Sequence, residues 1–146
     1  MFETILVPTD GSDDAENAAA TAIELADVHD ATVHVVSVAD TGPWGDVRLP
    51  GEADDPSDAI TGLAEDAVAR VVERAEAANV DVTGTVLTGP VKNEIVDHAA
   101  AIDADLIVMG TRGRGGVKRM ALGSVADFVV RNGDPEVLVC RAETDD

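Results

Sequence analysis

The sequence predicts an α/β protein of one domain: a doubly wound parallel sheet of five strands with helices on both faces. Three observations carry that expectation. The chain has 146 residues, 45% of them hydrophobic and evenly spread, enough for a single buried core. Segments with strand patterning alternate with segments of helical patterning from one end to the other, as parallel sheets with crossover helices require. The strand at Asp105-Leu-Ile-Val-Met109 is almost continuously apolar, the pattern of a strand covered on both sides.

Thr4-Ile5-Leu6-Val7 is a short apolar run closed by Pro8-Thr9-Asp10-Gly11, which reads as a buried strand and a turn. Ser12 or Asp13 is placed to cap the next helix, where Ala15, Ala18, Ala19, Ala22, Ile23 and Ala26 keep the spacing of one buried face. Ala31 to Val38 is a second, valine-rich strand. Residues 40 to 57 lose all periodicity and contain Trp44, the only tryptophan, so a long loop is expected there. Asp58 to Asn79 is the clearest helix, with Ile60, Leu63, Ala64, Ala67, Val68, Val71 and Val72 in one stripe. Asp66 and Arg70 stand four apart within it, in the favourable order for an ion pair. Val82 to Leu87 is a third strand. Pro90 suits the start of a helix whose buried face is Ile95, Val96 and Ala99. After the fourth strand and a glycine-rich stretch, Ser124 to Arg131 forms the last helix and Glu136 to Cys140 the last strand.

Charge narrows the function. With 29 Asp and Glu against 10 Lys and Arg, the formal net charge is -19, and its field repels nucleic acid and anionic lipid. A surface of this kind suits very high salt, where screening over about 3 Å at 1 M suppresses self-repulsion. No apolar run approaches the roughly 18–20 residues that cross a bilayer. The N-terminus lacks the pattern of a signal peptide, and Cys140 has no second cysteine to pair with, so a cytoplasmic location is expected. Two Phe residues, neither in the basic segment, give no platform for stacking bases.

Against that acidic background, Arg112, Arg114, Lys118 and Arg119 fall within eight residues, and no Asp or Glu occurs from Leu106 to Ala126. A random draw would put about 0.5 basic residues in that window and about 4 acids in that gap. Gly110, Gly113, Gly115, Gly116 and Gly123 let the backbone of the same segment come close to a ligand. A bound polyanion requires such a loop. Gly123-Ser124 then opens a helix, whose N-terminal N–H groups and positive dipole end favour phosphate. In open parallel sheets ligands bind beyond the carboxyl ends of strands where the strand order reverses. If the first and fourth strands are neighbours, Pro8-Thr9-Asp10-Gly11 faces this loop across one crevice.

Neither G-x-x-x-x-G-K-[ST] nor G-x-G-x-x-G is present, so a P-loop NTPase and a dinucleotide-binding dehydrogenase are both disfavoured. The spacing that does occur is Gly110-x2-Gly113-x9-Gly123-Ser124. With the opening Ile5-Leu6-Val7-Pro8-Thr9-Asp10-Gly11-Ser12 and the closing Pro135-Glu136-Val137-Leu138-Val139, it resembles the universal stress protein family over the whole chain. The glycine spacing is similar to that of the family's ATP-binding subgroup. The resemblance implies a flavodoxin-like fold of the adenine nucleotide alpha hydrolase kind, with strand order 3-2-1-4-5 and an adenine-binding crevice. It further implies that Pro8 and Met109 line the base and sugar pocket and that Thr9 belongs to the nucleotide site. Asp10 would bond ribose or adenine, and Val38 would offer backbone contacts to adenine. Gly110, Arg112, Gly113, Gly123 and Ser124, with the N–H groups of Val125 and Ala126, would hold phosphates. ATP is the ligand so implied, with any Mg²⁺ held by its phosphates. A homodimer through Val137–Cys140 is implied as well, since an apolar edge strand needs covering.

Plainer roles stand beside these. Asp10 can cap the first helix or stabilise its turn, and Ser124 can be a simple N-cap. His29, His34 and His98 are dispersed, with no ligand-spaced partner for a metal. Cys140 reads as inert core. A carboxylate placed to activate water is not evident, because the phosphate segment has none and Asp10 belongs near the ribose. The expected protein is therefore a nucleotide-responsive stress or signalling protein, with weak ATP hydrolysis or phosphotransfer as the alternative. Its downstream partner is not legible.

Overall fold

Short apolar strands and amphipathic helices alternate along the chain in the computed structural model, which describes residues 2–40, 56–111 and 122–141. The order is β1 (Thr4–Pro8), α1 (Asp13–His29), β2 (Thr32–Ala39), α2 (Pro56–Ala77), β3 (Val82–Thr88), α3 (Val91–Ala101), β4 (Leu106–Gly110), α4 (Ser124–Asn132) and β5 (Glu136–Cys140). All pairings are parallel, and the sheet runs β3-β2-β1-β4-β5. The third and fifth strands are its edges. The order reverses between β1 and β4, where Ile5 pairs with Leu106 and Leu6 with Ile107.

The two-residue period of a strand explains why β1 and β4 are apolar throughout. Ile5, Val7, Val33, Val35, Leu106 and Val108 point to one face, where they meet Ala18, Ala19 and Ala22 of α1 and Val68, Val71 and Ala75 of α2. Leu6, Val36, Ile107 and Met109 point to the other, against Ile95 and Ala99 of α3 and Ala126 and Val129 of α4. Two cores, one on each side of the sheet, are the physical content of the doubly wound architecture. Small alanines on α1 let that helix lie close to the strands. A carboxylate ties the start of the sheet together: Asp105 Oδ2 accepts the N–H groups of Glu3 at 2.8 Å and Thr4 at 2.9 Å. Those two bonds hold the Asp105 carboxyl below its ordinary range.

Several expectations need correction. The second helix starts at Pro56, so Pro56 and Ser57 belong to it and not to the preceding loop. Its stripe is narrower than the sequence implies, because Leu63 is 55% exposed at the rim while Ala64, Ala67, Val68 and Val71 are buried. Arg70 leaves Asp66 and reaches to α1, where its Nε lies 2.9 Å from Glu16 Oε1. Arg74 joins the same carboxylate at 3.1 Å. A carboxylate shared by two guanidinium groups on a neighbouring helix outcompetes a pair within one helix. Pro90 stands at the start of α3 as expected, as its N-cap residue. The second strand runs one residue past Val38, to Ala39.

Candidate functional site

The first side of the site is the turn after β1. Pro8 and Thr9 are buried there, and Thr9 N–H continues the ladder to the Val36 carbonyl at 2.8 Å. The chain then reverses tightly, with Gly11 at φ 81°, a left-handed conformation that suits glycine. Three short bonds set the turn. Gly11 N–H donates to Thr9 Oγ1 at 3.1 Å, Ser12 N–H to Asp10 Oδ1 at 2.9 Å, and Ala15 N–H to Ser12 Oγ at 3.3 Å. Ser12 is thus the N-cap of α1, and Asp10 braces the turn ahead of it. Asp13, Asp14 and Glu16 add carboxylates to the first turn. The positive end of α1 is answered by its own sequence.

Across the β1–β4 pairing lies the second side. Met109 is 5% exposed and packs among Ile95, Ala126 and Val129, so its side chain is part of the core beneath the crevice. Gly110 has a packing reason of its own. A Cβ there would stand 2.8 Å from Asp14 Cβ, 2.9 Å from the Asp14 carbonyl carbon and 3.0 Å from Ala15 N. Only a glycine admits the backbone of α1 this close to the end of β4. The family resemblance implied a phosphate role for Gly110, but could not show the helix lying against it.

Thr111 follows and is buried, 5% exposed. Its hydroxyl donates to Asp14 Oδ2 at 2.6 Å, and its N–H donates to the Cys140 carbonyl at 2.9 Å. The Thr111 carbonyl accepts the Gly123 N–H. Thr111 was not singled out from the sequence, and Asp14 only as one of three acids, with Asp10 and Asp13, that suggest a cation site but lack further ligands at the required spacing. The available signal was weak: a threonine beside a glycine, and one carboxylate among three at a helix start.

The last helix differs from α1 at its beginning. Gly123 is the N-cap and makes no side-chain cap hydrogen bond. This corrects the expectation for Ser124, which is the first helical residue and not the cap. The first intrahelical bond runs from Asp127 N–H to the Gly123 carbonyl at 3.0 Å. Ser124, Val125 and Ala126 therefore present the N–H groups that a helix start leaves outside its own ladder. The nearest acid, Asp127, is turned to Arg131, with contacts of 3.0 and 3.1 Å. Ala126 and Val129 anchor the helix in the core, and Lys92 Nζ lies 4.9 Å from the centre of the Phe128 ring, joining α3 to α4.

Pro8, Thr9, Asp10, Met109, Gly110, Gly123, Ser124, Val125 and Ala126 thus gather at the carboxyl edge of the sheet around the strand-order reversal. Val38, next to last in β2, pairs with Leu87 on the same edge. Arg112 and Gly113 lie outside the described residues, as do Arg114, Lys118, Arg119 and Trp44.

Comparison with known proteins agrees with this architecture. A model described as the universal stress protein family matches residues 1–141. The chain belongs to the universal stress protein family. It is 38% identical over 141 residues to universal stress protein MJ0531 of Methanocaldococcus jannaschii, covering 97% of this chain and 83% of that protein. Among solved structures, UspA from Lactobacillus plantarum superposes with a TM-score of 0.81 at 30% identity, over 96% of this chain and 98% of that one. A universal stress protein in complex with cAMP does so with a TM-score of 0.74 at 27% identity, over 97% and 99%.

Other titratable groups sit apart from the crevice edge. The sequence places the histidines far apart, yet the fold brings His34 of β2 and His98 of α3 into electrostatic range. Burial chiefly, and then His98, lower the His34 pKa from its ordinary value. Cys140 is half-buried, and burial pushes its thiol up against a smaller pull from a hydrogen bond with Thr21. No group of three or more His, Cys, Asp or Glu converges on a possible metal position among the described residues. Among them, too, no helix is long and apolar enough to cross a membrane.

Proposed function

We propose that this chain is an ATP-binding universal stress protein whose nucleotide occupancy is its signal, with little or no catalytic turnover. The observation that carries the reading is the start of α4. A helix N-terminus without a side-chain cap stands at the end of β4, beside β1, where the strand order reverses. Its N–H groups fit phosphate chemistry, and the acid-free, arginine-rich stretch before it in the sequence supplies the matching charge. Asp10, braced at the end of β1, would meet the ribose or the base. Val38 would meet adenine through its backbone, while Pro8, Thr9 and Met109 would close the floor of the pocket. Gly110, Arg112, Gly113, Gly123, Ser124, Val125 and Ala126 would surround the phosphates, and Mg²⁺ would ride on those phosphates. The relative solved with cAMP supports an adenine nucleotide as the ligand class.

A dimer through β5 belongs to the same reading. The strand is a sheet edge, Leu138 on it is 38% exposed, and Val130 on α4 is 47% exposed. Calorimetric titration with Mg·ATP in high salt, followed by a phosphate-release assay on the same sample, tests the proposal. Saturable one-to-one binding without release is expected. Steady release would make the protein an ATP hydrolase, and absence of binding would overturn the nucleotide reading.

A further inference from the structure

The Asp14–Thr111 contact joins elements that are distant in sequence, and it lies outside the residues assigned to the nucleotide. Both side chains are buried, at 6% and 5% exposure, and their O–H···O distance of 2.6 Å is short. Thr111 has all three of its polar handles engaged. Its hydroxyl goes to the first turn of α1, its N–H to the end of β5, and its carbonyl to the cap of α4. The Gly123 N–H follows wherever that carbonyl points. Immediately before it, Gly110 is pressed against the Asp14–Ala15 backbone, so this peptide has little room to turn.

We propose that Asp14 and Thr111 are positioning residues that aim the N-terminus of α4 at the phosphates of the bound nucleotide. The inference rests on the nucleotide-binding reading above. The Asp14 carboxylate accepts the Thr111 hydroxyl and the Cys140 carbonyl accepts its N–H, which together hold the Thr111 residue in place from both its side chain and its backbone. The carbonyl of the residue so held accepts the Gly123 N–H, and the Gly123 cap sets the direction of the N–H groups of Ser124, Val125 and Ala126. Neither side chain need touch the ligand. Because only the phosphate side is aimed this way, loss of the pair weakens nucleotides and spares the nucleoside.

Thr111→Val and Asp14→Ala break the contact from opposite ends, so one folded variant suffices. The breakage expected of a buried hydrogen bond lowers ATP affinity about tenfold while adenosine affinity stays within about twofold. Thr111→Ser, which keeps the hydroxyl, restores ATP affinity. Equal losses for ATP and adenosine, or an unchanged ATP affinity, overturn the proposal. A second readout needs no ligand: exchange of the Gly123 amide, measured by NMR against that of Ala22, quickens selectively in Thr111→Val. Should the wild type bind neither ligand, the nucleotide reading fails by itself. Unchanged Gly123 exchange overturns the positioning role independently.

Discussion

Two helices begin at the same edge of the sheet, one after β1 and one after β4, and they treat their N-termini in opposite ways. In α1 the Ser12 hydroxyl takes the Ala15 N–H, and Asp13, Asp14 and Glu16 surround the positive end. In α4 Gly123 offers no side chain, and the one acid of the first turn pairs with Arg131. The first helix answers one of its free donors with a side chain of its own, whereas the second has no side-chain cap and leaves room for an external anion. Under the proposed nucleotide reading, a self-capped helix next to one without a side-chain cap would let so acidic a chain admit phosphate. Acids gather in the first turn of α1 and are absent from Leu106 to Ala126, the stretch proposed for the phosphates.

The sharpest break in this comparison comes at Gly110, where the two regions touch. Gly110→Ala puts a methyl group into the backbone of Asp14 and Ala15, and overpacking of this kind costs about 1–3 kcal/mol. Chemical denaturation in high salt measures it, and an unshifted midpoint would show that α1 can retreat freely. Ser12→Ala removes the α1 cap and lowers stability by about 1 kcal/mol, with ATP affinity unchanged. Comparing melting with calorimetry separates those effects. Ser124→Asp makes the start of α4 resemble that of α1. It stabilises the helix by about 0.3–1 kcal/mol at low ionic strength and weakens ATP several-fold, so that stability and affinity move in opposite directions. A variant that gained both would place the phosphates elsewhere.

The smallest effect concerns the α3 side, on which α4 rests. His34 has a lowered pKa when folded, so the unfolded chain takes up its proton first as pH falls. Its contribution to stability is therefore complete above about pH 6.5 and declines as the pH drops below that value toward the folded pKa. Wild-type stability should fall over that interval, and His34→Gln should flatten the decline. An unaltered slope in the variant would assign the pH dependence to other groups.

Legibility in the sequence follows a physical boundary. Apolar periodicity is a local property, and it located all five strands and the second and fourth helices to within about two residues, with β5 matching at both ends. The Ser12 cap was legible for the same reason, since donor and acceptor are three residues apart. The glycine-rich, acid-free segment was legible as composition, and its spacing pointed to the family. Partners chosen across the fold were not legible. Arg70 has an acid four residues away on its own helix but pairs with Glu16 on another. Leu63 fits the stripe of α2 yet emerges at its rim.

The sequence by itself determined that strands and helices alternate, which faces of those helices are apolar, and where charge permits a polyanion. Those properties are set by neighbours a few residues apart. Only the tertiary structure decided that Gly110 is a contact surface for α1, that Asp14 is braced against Thr111, and that His34 lies within reach of His98. Each of those depends on how closely two elements approach after the cores on both faces of the sheet have closed.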